Sequence, residues 1–267
     1  MSQTGATPPT ALLADPLAHF RLDGRSALVT GARREIGRAI ALGLAGLGAR
    51  VGVHHAGTDE ETADAAGVVA QMQGAGQTFA ADFSRPDAGT TLAAEVTAAF
   101  GAVDILVLNA SIEVLEPLGG ITRAAYERQV AVNLTATLDL LQALVPAMAA
   151  RGWGRVLTIG SIQQLRPHPE MMVYAGSKAM QANWAVNLAR QYGAHGVRAN
   201  NLAPGAIATA RNRDQLARDG SDLLGRIPAG RFGRPDDLVG AAMLLCSDAG
   251  EYINGCNLLV DGGRHLS

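Results

Sequence analysis

Short apolar runs alternate along the chain with longer segments in which apolar residues recur every three or four positions. The runs fall at about 26–30, 50–54, 77–81, 103–108, 155–159, 197–202 and 256–260. They are apolar throughout rather than alternating with polar residues, which is the pattern of strands covered on both faces. The amphipathic segments lie near 36–47, 59–73, 87–99, 123–149, 174–192 and 235–247, and their period is helical. Strands separated by helices predict repeated right-handed βαβ units, hence an α/β fold with a doubly wound parallel sheet flanked by helices. No linker or shift in composition divides the pattern, so residues 20–267 are expected to form one domain. Residues 1–19 are rich in Ala, Thr and Pro and read as a flexible tail. The least regular stretch is 203–234, rich in Gly, Pro, Arg and Asp. Ligands of such sheets bind beyond the carboxyl ends of the strands, so a lid is expected at about 205–232.

Composition removes several function classes. The 267 residues are 48% hydrophobic and carry a formal net charge of -2, which gives no footprint for nucleic acid or an anionic membrane. Aromatics make up 4%, too few for a base-stacking platform. No apolar run reaches the roughly 18 residues that a membrane span needs, and the N-terminus lacks the charged and apolar regions of a secretory signal. The expected location is the cytoplasm. Cys246 and Cys256 are the only cysteines, with no spacing for zinc, and read as reduced thiols. No metal site is expected.

One count is more telling than these averages. Of 22 cationic residues a single one, Lys178, is lysine, so 21 are arginine. The arginine bias itself is most simply a trait of the coding sequence. Lysine provides a compact ammonium that an arginine fork cannot imitate, so its one survival marks Lys178 as a candidate for chemistry.

Strand 26–30 runs into Gly31, and a helix opens by about Ile36. Gly31 permits a sharp turn and Gly37 lets the helix pack close to the sheet, so that helix-start amides face a phosphate. Arg33 and Arg34 sit on the turn, while the second strand ends in His54-His55-Ala56-Gly57 without the acid expected at a ribose 2′-hydroxyl. Paired guanidinium groups without that acid fit a 2′-phosphate. His54 and His55 point to opposite faces of an extended strand, which argues against a metal pair. Glu35 stands where a phosphate loop normally has glycine. A carboxylate near a helix N-terminus is favourable in itself, with Arg33, Arg34 and Arg38 at hand to neutralise it, so nucleotide binding is expected to survive.

Tyr174 and Lys178 are four residues apart on a predicted helix and therefore share a face. An ammonium beside a phenol favours the phenolate, which makes an acid/base out of a group that is otherwise a poor one at neutral pH. Ser161 closes the preceding strand, where its hydroxyl can meet a carbonyl oxygen.

These marks resemble the short-chain dehydrogenase/reductase family over roughly residues 22 to 263. They are T-G-x(5)-G at 30–37, Asp82 after the third strand, N-A at 109–110, Asn133 in V-N-L and Ser161. Y-x-x-x-K at 174–178, P-G-x-I-x-T at 204–209 and D-G-G at 261–263 complete the set. The resemblance implies a Rossmann-type sheet of seven strands, a homotetramer and catalysis by Asn133, Ser161, Tyr174 and Lys178, with Asn133 in a proton relay through water and Lys178. NADP(H) is the preferred cofactor, since a basic residue stands at Arg34, and NAD(H) is a second one. The cofactor set is Gly31, Arg33, Arg34, Ile36, Gly37, His55, Asp82, Asn109, Ala110, Tyr174, Lys178, Pro204, Gly205, Ile207 and Thr209. Within it, Ile207 and Thr209 are assigned to the nicotinamide end, Asp82 to the adenine, and Asn109 and Ala110 to the adenosine ribose region.

The sequence departs from the family pattern at Glu35 and in the L-N-A-S of 108–111, and pteridine reductases are similar in both places. The segment between Ser161 and Tyr174 is polar, and Ser111, Gln163, Arg166 and His168 are the candidate substrate contacts, joined by Arg211, Asn212, Arg213 and Arg218 of the lid. The expected reaction interconverts a carbonyl and a secondary alcohol on a small polar compound such as a sugar acid, polyol or keto compound. The alternatives are a 3-oxoacyl-thioester or pteridine-type reductase, or a silent NADP(H)-binding sensor.

Overall fold

A computed structural model describes residue 15 and residues 17–210 and 220–267. Seven parallel strands form one sheet in the order β3-β2-β1-β4-β5-β6-β7. They are β1 (Ser26–Val29), β2 (Arg50–His55), β3 (Gly76–Ala80), β4 (Ile105–Leu108), β5 (Gly154–Ile159), β6 (Val197–Pro204) and β7 (Asn257–Val260). Each expected strand is present, with ends displaced by at most a few residues. Along β1, Ala27 and Val29 enter one apolar core and Leu28 enters the other. The apolar run is continuous because both faces of the strand are covered.

On one face, Ile40 and Leu44 of helix α1 (Glu35–Gly46) and Val68 of α2 (Asp59–Ala70) pack over Val51, Val53, Ile105 and Val107. On the other, Leu92 and Val96 of α3 (Ala88–Phe100) and Leu140 and Leu144 of α5 (Ala136–Ala150) pack over Leu28, Leu106 and Val156. Helix α6 (Met172–Tyr192) completes that layer and carries the Tyr–Lys pair. The strand order reverses between β1 and β4, so the crevice of this sheet opens above their carboxyl ends.

The segment expected as one helix over 123–149 divides into α4 (Arg123–Val130), a π-helical turn (Ala131–Thr135) and α5. By length and hydropathy alone the run Arg123–Ala150 is apolar enough to cross a membrane. Its apolar residues Leu140, Leu141, Leu144, Val145 and Met148 are instead buried in the core. The end of the chain's helical series is also divided, into a 3-10 turn (Pro235–Leu238) and the helix Val239–Cys246. Of the lid candidates, Arg211, Asn212, Arg213 and Arg218 lie outside the described residues.

Candidate active site

One cavity of about 590 Å³ runs across the carboxyl ends of the strands, from Gly31, Arg34 and His55 to Ser161, Tyr174 and Lys178. That size suits a small ligand together with part of a cofactor. Its first end is built from the turn after β1. Gly31 has φ +62, and a Cβ there would lie 3.0 Å from Ala110 Cα. A Cβ on Gly37 would run into the Gly31 carbonyl oxygen and lie 3.0 Å from Ala32 Cα, so only glycine lets α1 start this close to the strand. Amides at the start of α1 then border the cavity, a ready anion site. These two glycines behave as the sequence predicts.

His54 holds the same turn from below. Its Nδ1 accepts from the Gly31 amide (3.0 Å) and its Nε2 donates to the Ala81 carbonyl (2.9 Å), while its ring stacks on Phe83 at 4.2 Å. Burial pushes His54 down to about 4, so it is neutral in working conditions and keeps one tautomer. Strand alternation separated His54 from His55 but did not announce that His54 braces the loop.

Asn109 and Ala110 tie β4 to the turn. Both amides donate to Thr30 Oγ1, at 2.9 and 3.0 Å, and Asn109 Nδ2 donates to the carbonyls of Thr30 (2.9 Å) and Gly31 (3.0 Å). The Asn109 amide is therefore committed to the scaffold even though the residue lines the cavity. Asp82 also lines it, and the Ser84 hydroxyl and amide hold its carboxyl below the usual range.

The structure separates the two loop arginines. Arg33 gives Nε to Glu61 (3.1 Å) and Nη1 to Asp64 (2.6 Å), both on α2. Arg34 is exposed, borders the cavity and has no side-chain partner among the described residues. Reading both as equal phosphate ligands is thus corrected: Arg33 is already held by two carboxylates.

Glu35 explains itself in a second correction. Its φ is +53, the left-handed region where glycine is favoured, and its Oε1 accepts from the Ala210 amide at 2.9 Å. Arg38 gives its Nη2 to Gln71 instead (2.7 Å). Among the described residues no arginine neutralises Glu35; the carboxylate ties the first turn to the segment after β6.

At the other end, α6 places Tyr174 and Lys178 one turn apart, 7% and 1% exposed. Lys178 Nζ lies 5.7 Å from the Tyr174 ring centroid. It donates to the Ile159 carbonyl (2.7 Å) and to Gln181 Oε1 (3.2 Å). Ser161 sits at the end of β5 and its Oγ accepts from the Gln163 amide (3.2 Å).

Asn133 is fully buried in the π-helical turn. Its Oδ1 accepts from the Ile112 amide and its Nδ2 donates to the Ile112 carbonyl, both at 2.9 Å. Its own carbonyl accepts from Gln181 Nε2 (2.6 Å) and Thr137 Oγ1 (2.9 Å). Those contacts tie the π-helical turn to α6 beside Lys178. Gln181, which sequence reasoning missed, links Asn133 to Lys178 directly. The one available signal was its place three residues after Lys178, on the same helical face.

Ser111, Gln163 and Arg166 border the cavity near Tyr174, as do Pro204, Gly205, Ile207 and Thr209 after β6. His168 does not: its Nδ1 accepts from the Glu170 amide (3.2 Å), which turns the ring back onto its own loop. That substrate assignment is corrected. Gln163 Oε1 accepts from the His168 amide (2.6 Å), which shapes the loop. Among the described residues no three His, Cys, Asp or Glu side chains gather as metal ligands.

Residues 31–265 match the family model described as enoyl-(acyl carrier protein) reductase. The chain is 36% identical to an L-rhamnose 1-dehydrogenase (NAD(P)(+)) of Azotobacter vinelandii, over 91% of this chain and 97% of that one. A crystal structure of a gluconate 5-dehydrogenase from Burkholderia cenocepacia, in complex with NADP and tartrate, superposes with a TM-score of 0.87 at 35% identity, covering 94% and 99% of the two chains. A 3-oxoacyl (acyl-carrier-protein) reductase from Agrobacterium tumefaciens with NADP bound gives 0.85 at 42% identity, covering 93% and 97%.

Proposed function

Since the chain belongs to the short-chain dehydrogenase/reductase family, we propose that it is an NADP(H)-dependent oxidoreductase that interconverts a ketone and a secondary alcohol on a small polyol or sugar acid. One observation carries the reading: a single cavity joins the glycine-shaped, arginine-bearing turn to Ser161, Tyr174 and Lys178. A bound nicotinamide supplies or accepts the hydride. The residues of this chain do the rest. Tyr174 gives its phenolic proton to the carbonyl oxygen in reduction and takes it back in oxidation. Lys178, buried beside the ring, stabilises the phenolate that results. The Ser161 hydroxyl accepts from Gln163, which leaves its proton to donate to the reacting oxygen as negative charge builds there.

The substrate class rests on the polar cavity wall at Ser111, Gln163 and Arg166, with the rhamnose and gluconate enzymes as relatives in support. The 3-oxoacyl thioester reading is the second one, favoured by the 42% identity to such a reductase. Following absorbance at 340 nm with sugar acids, polyols, simple ketones and a 3-oxoacyl thioester tests both. Turnover of the thioester alone would overturn the polyol reading, and nucleotide binding with no turnover of any would favour a sensor.

The enzyme is proposed to work in the cytoplasm and to be a homotetramer, the assembly alone being supported by the apolar Tyr126, Leu138, Met180 and Val186 exposed on α4, α5 and α6. Light scattering at four chain masses is the expected result, and a monomer would refute it.

Cofactor choice gives a sharper prediction. NADPH is expected to bind more tightly than NADH, and Arg34→Ala to remove most of the difference. A charge-assisted hydrogen bond contributes about 1.5–3 kcal/mol, or roughly 10- to 150-fold in affinity. Arg34 is exposed, and solvent screening sets the loss near the lower figure. NADH lacks the phosphate and should be little affected. Fluorescence titration of both nucleotides decides the matter: a wild-type preference for NADH, unchanged in Arg34→Ala, would overturn the assignment.

A further inference from the structure

The nucleotide end of the cavity contains a carboxylate that the sequence pattern did not single out. Glu61 is the third residue of α2 and follows the cap Thr58, whose Oγ1 accepts from the Glu61 amide at 3.3 Å. In that position a glutamate often folds back onto the amide of the cap residue. Here its Oε1 goes to Arg33 instead, at 3.1 Å, and the side chain is only 18% exposed. Its Oε2 is buried without a hydrogen-bond partner, and so is Nδ1 of His55, a residue 3% exposed. Both residues line the cavity beside Arg33 and Arg34. Buried polar atoms without partners are costly. Two of them, on side chains that line one cavity, point to a ligand that supplies a donor to the carboxylate.

The two arginines of this corner do not stand uncompensated, and Glu35 and Asp82 line the same end of the cavity. Arg33 and Arg34 are opposed by Glu61 and Asp64, and Arg33 is bonded to both acids. Burial holds His55 below its ordinary range, so at neutral pH it adds a hydrogen-bonding ring and no charge. A corner built only for a 2′-phosphate would leave both guanidinium groups uncompensated. A corner built only for a 2′-hydroxyl would not need the exposed Arg34.

We propose that Glu61 is the specificity-determining acid for the adenosine ribose. Its free Oε2, beside the His55 ring, accepts from a 2′-hydroxyl, and by holding Arg33 it limits the preference for a 2′-phosphate. The acid missing from the end of β2 is thus supplied by the first turn of α2. This rests on the nucleotide-binding reading above. It extends that reading from one arginine to a balance in which NAD(H) and NADP(H) are both bound.

Binding tests it without any substrate. Wild type, Glu61→Gln and Asp64→Asn would be titrated calorimetrically with 5′-ADP and 2′,5′-ADP, then with NADH and NADPH. Glu61→Gln keeps the side chain's length but removes the charge that holds Arg33 and repels phosphate. The ratio of 2′-phosphorylated to unphosphorylated affinity should rise by about 10-fold or more, partly through weaker 5′-ADP and NADH. Asp64→Asn frees one end of Arg33 and leaves Glu61 in place. It should tighten 2′,5′-ADP less and leave 5′-ADP unchanged. Equal changes for both nucleotides in Glu61→Gln, or none, would overturn the proposal. If Glu61→Gln does not fold, as judged by circular dichroism, an unaltered 2′,5′-ADP affinity in Asp64→Asn does so instead. Wild-type protein that binds none of the four compounds would refute the nucleotide-binding reading itself.

Discussion

Tyr174→Phe is expected to lower turnover by at least about 10², since a positioned general acid/base contributes on that scale. The substitution is a narrow one. Tyr174 is 7% exposed, and phenylalanine keeps the ring that fills its place. The hydrogen bond from Ser177 Oγ, at 2.7 Å, ends on the Tyr174 backbone carbonyl and survives the change. What goes is the hydroxyl that exchanges a proton with the reacting oxygen. NADPH affinity should therefore stay within a few-fold of wild type, because the adenosine end of the cavity is untouched. Initial rates at 340 nm and a separate fluorescence titration distinguish the two effects. Near wild-type turnover in the variant would remove Tyr174 from the mechanism.

The parts of this protein legible in the sequence are those set by local spacing. Strands covered on both faces favour runs of predominantly apolar residues over strict alternation. Seven such runs marked the sheet, although β2, β5 and β6 also bury polar side chains such as His54, Arg155 and Asn200. Tyr174 and Lys178 met because four residues make one helical turn. Gly31 and Gly37 were legible because few other residues allow a helix to begin against a strand.

Contacts that close over long stretches of chain were not legible. Arg33 read as a phosphate ligand, but its partners Glu61 and Asp64 lie on the next helix, and no periodicity of the loop announces them. Glu35 read as a carboxylate for neighbouring arginines, whereas it bonds to Ala210, 175 residues away. The helix expected over 123–149 conceals a π-helical turn at Ala131–Thr135. There Thr137 on the next turn and Gln181 from α6 both donate to the Asn133 carbonyl. A polar residue in a long helix signalled that something happens at Asn133, but not which groups would satisfy it.

Lys178→Arg is the second large effect expected, and it shows how geometry goes beyond charge. The substitution keeps the positive charge, so a purely electrostatic account predicts little change. The site around Lys178 says otherwise. The residue is 1% exposed, and its ammonium donates to the Ile159 carbonyl at 2.7 Å and to Gln181 Oε1 at 3.2 Å. Gln181 is itself fixed on Asn133 by its other end, at 2.6 Å, and cannot turn to serve a wider group. A guanidinium brings five donors in a rigid plane. Each donor left buried and unpaired costs roughly 1–3 kcal/mol. Two of these are enough to displace the fork toward Tyr174 or to drive it into the cavity. Either outcome removes the compact charge from beside the phenol, and turnover should fall by about 10² or more, since each 1.36 kcal/mol is a factor of ten. NADPH binding should weaken as well, because the fork intrudes on the nicotinamide end. The melting temperature should drop by several degrees, at about 2–4 °C for each kcal/mol in a chain of this size. Rates, nucleotide titration and a thermal melt on the one variant test all three. Full activity would show that the single lysine among so many arginines is an accident of composition and that its site tolerates either cation.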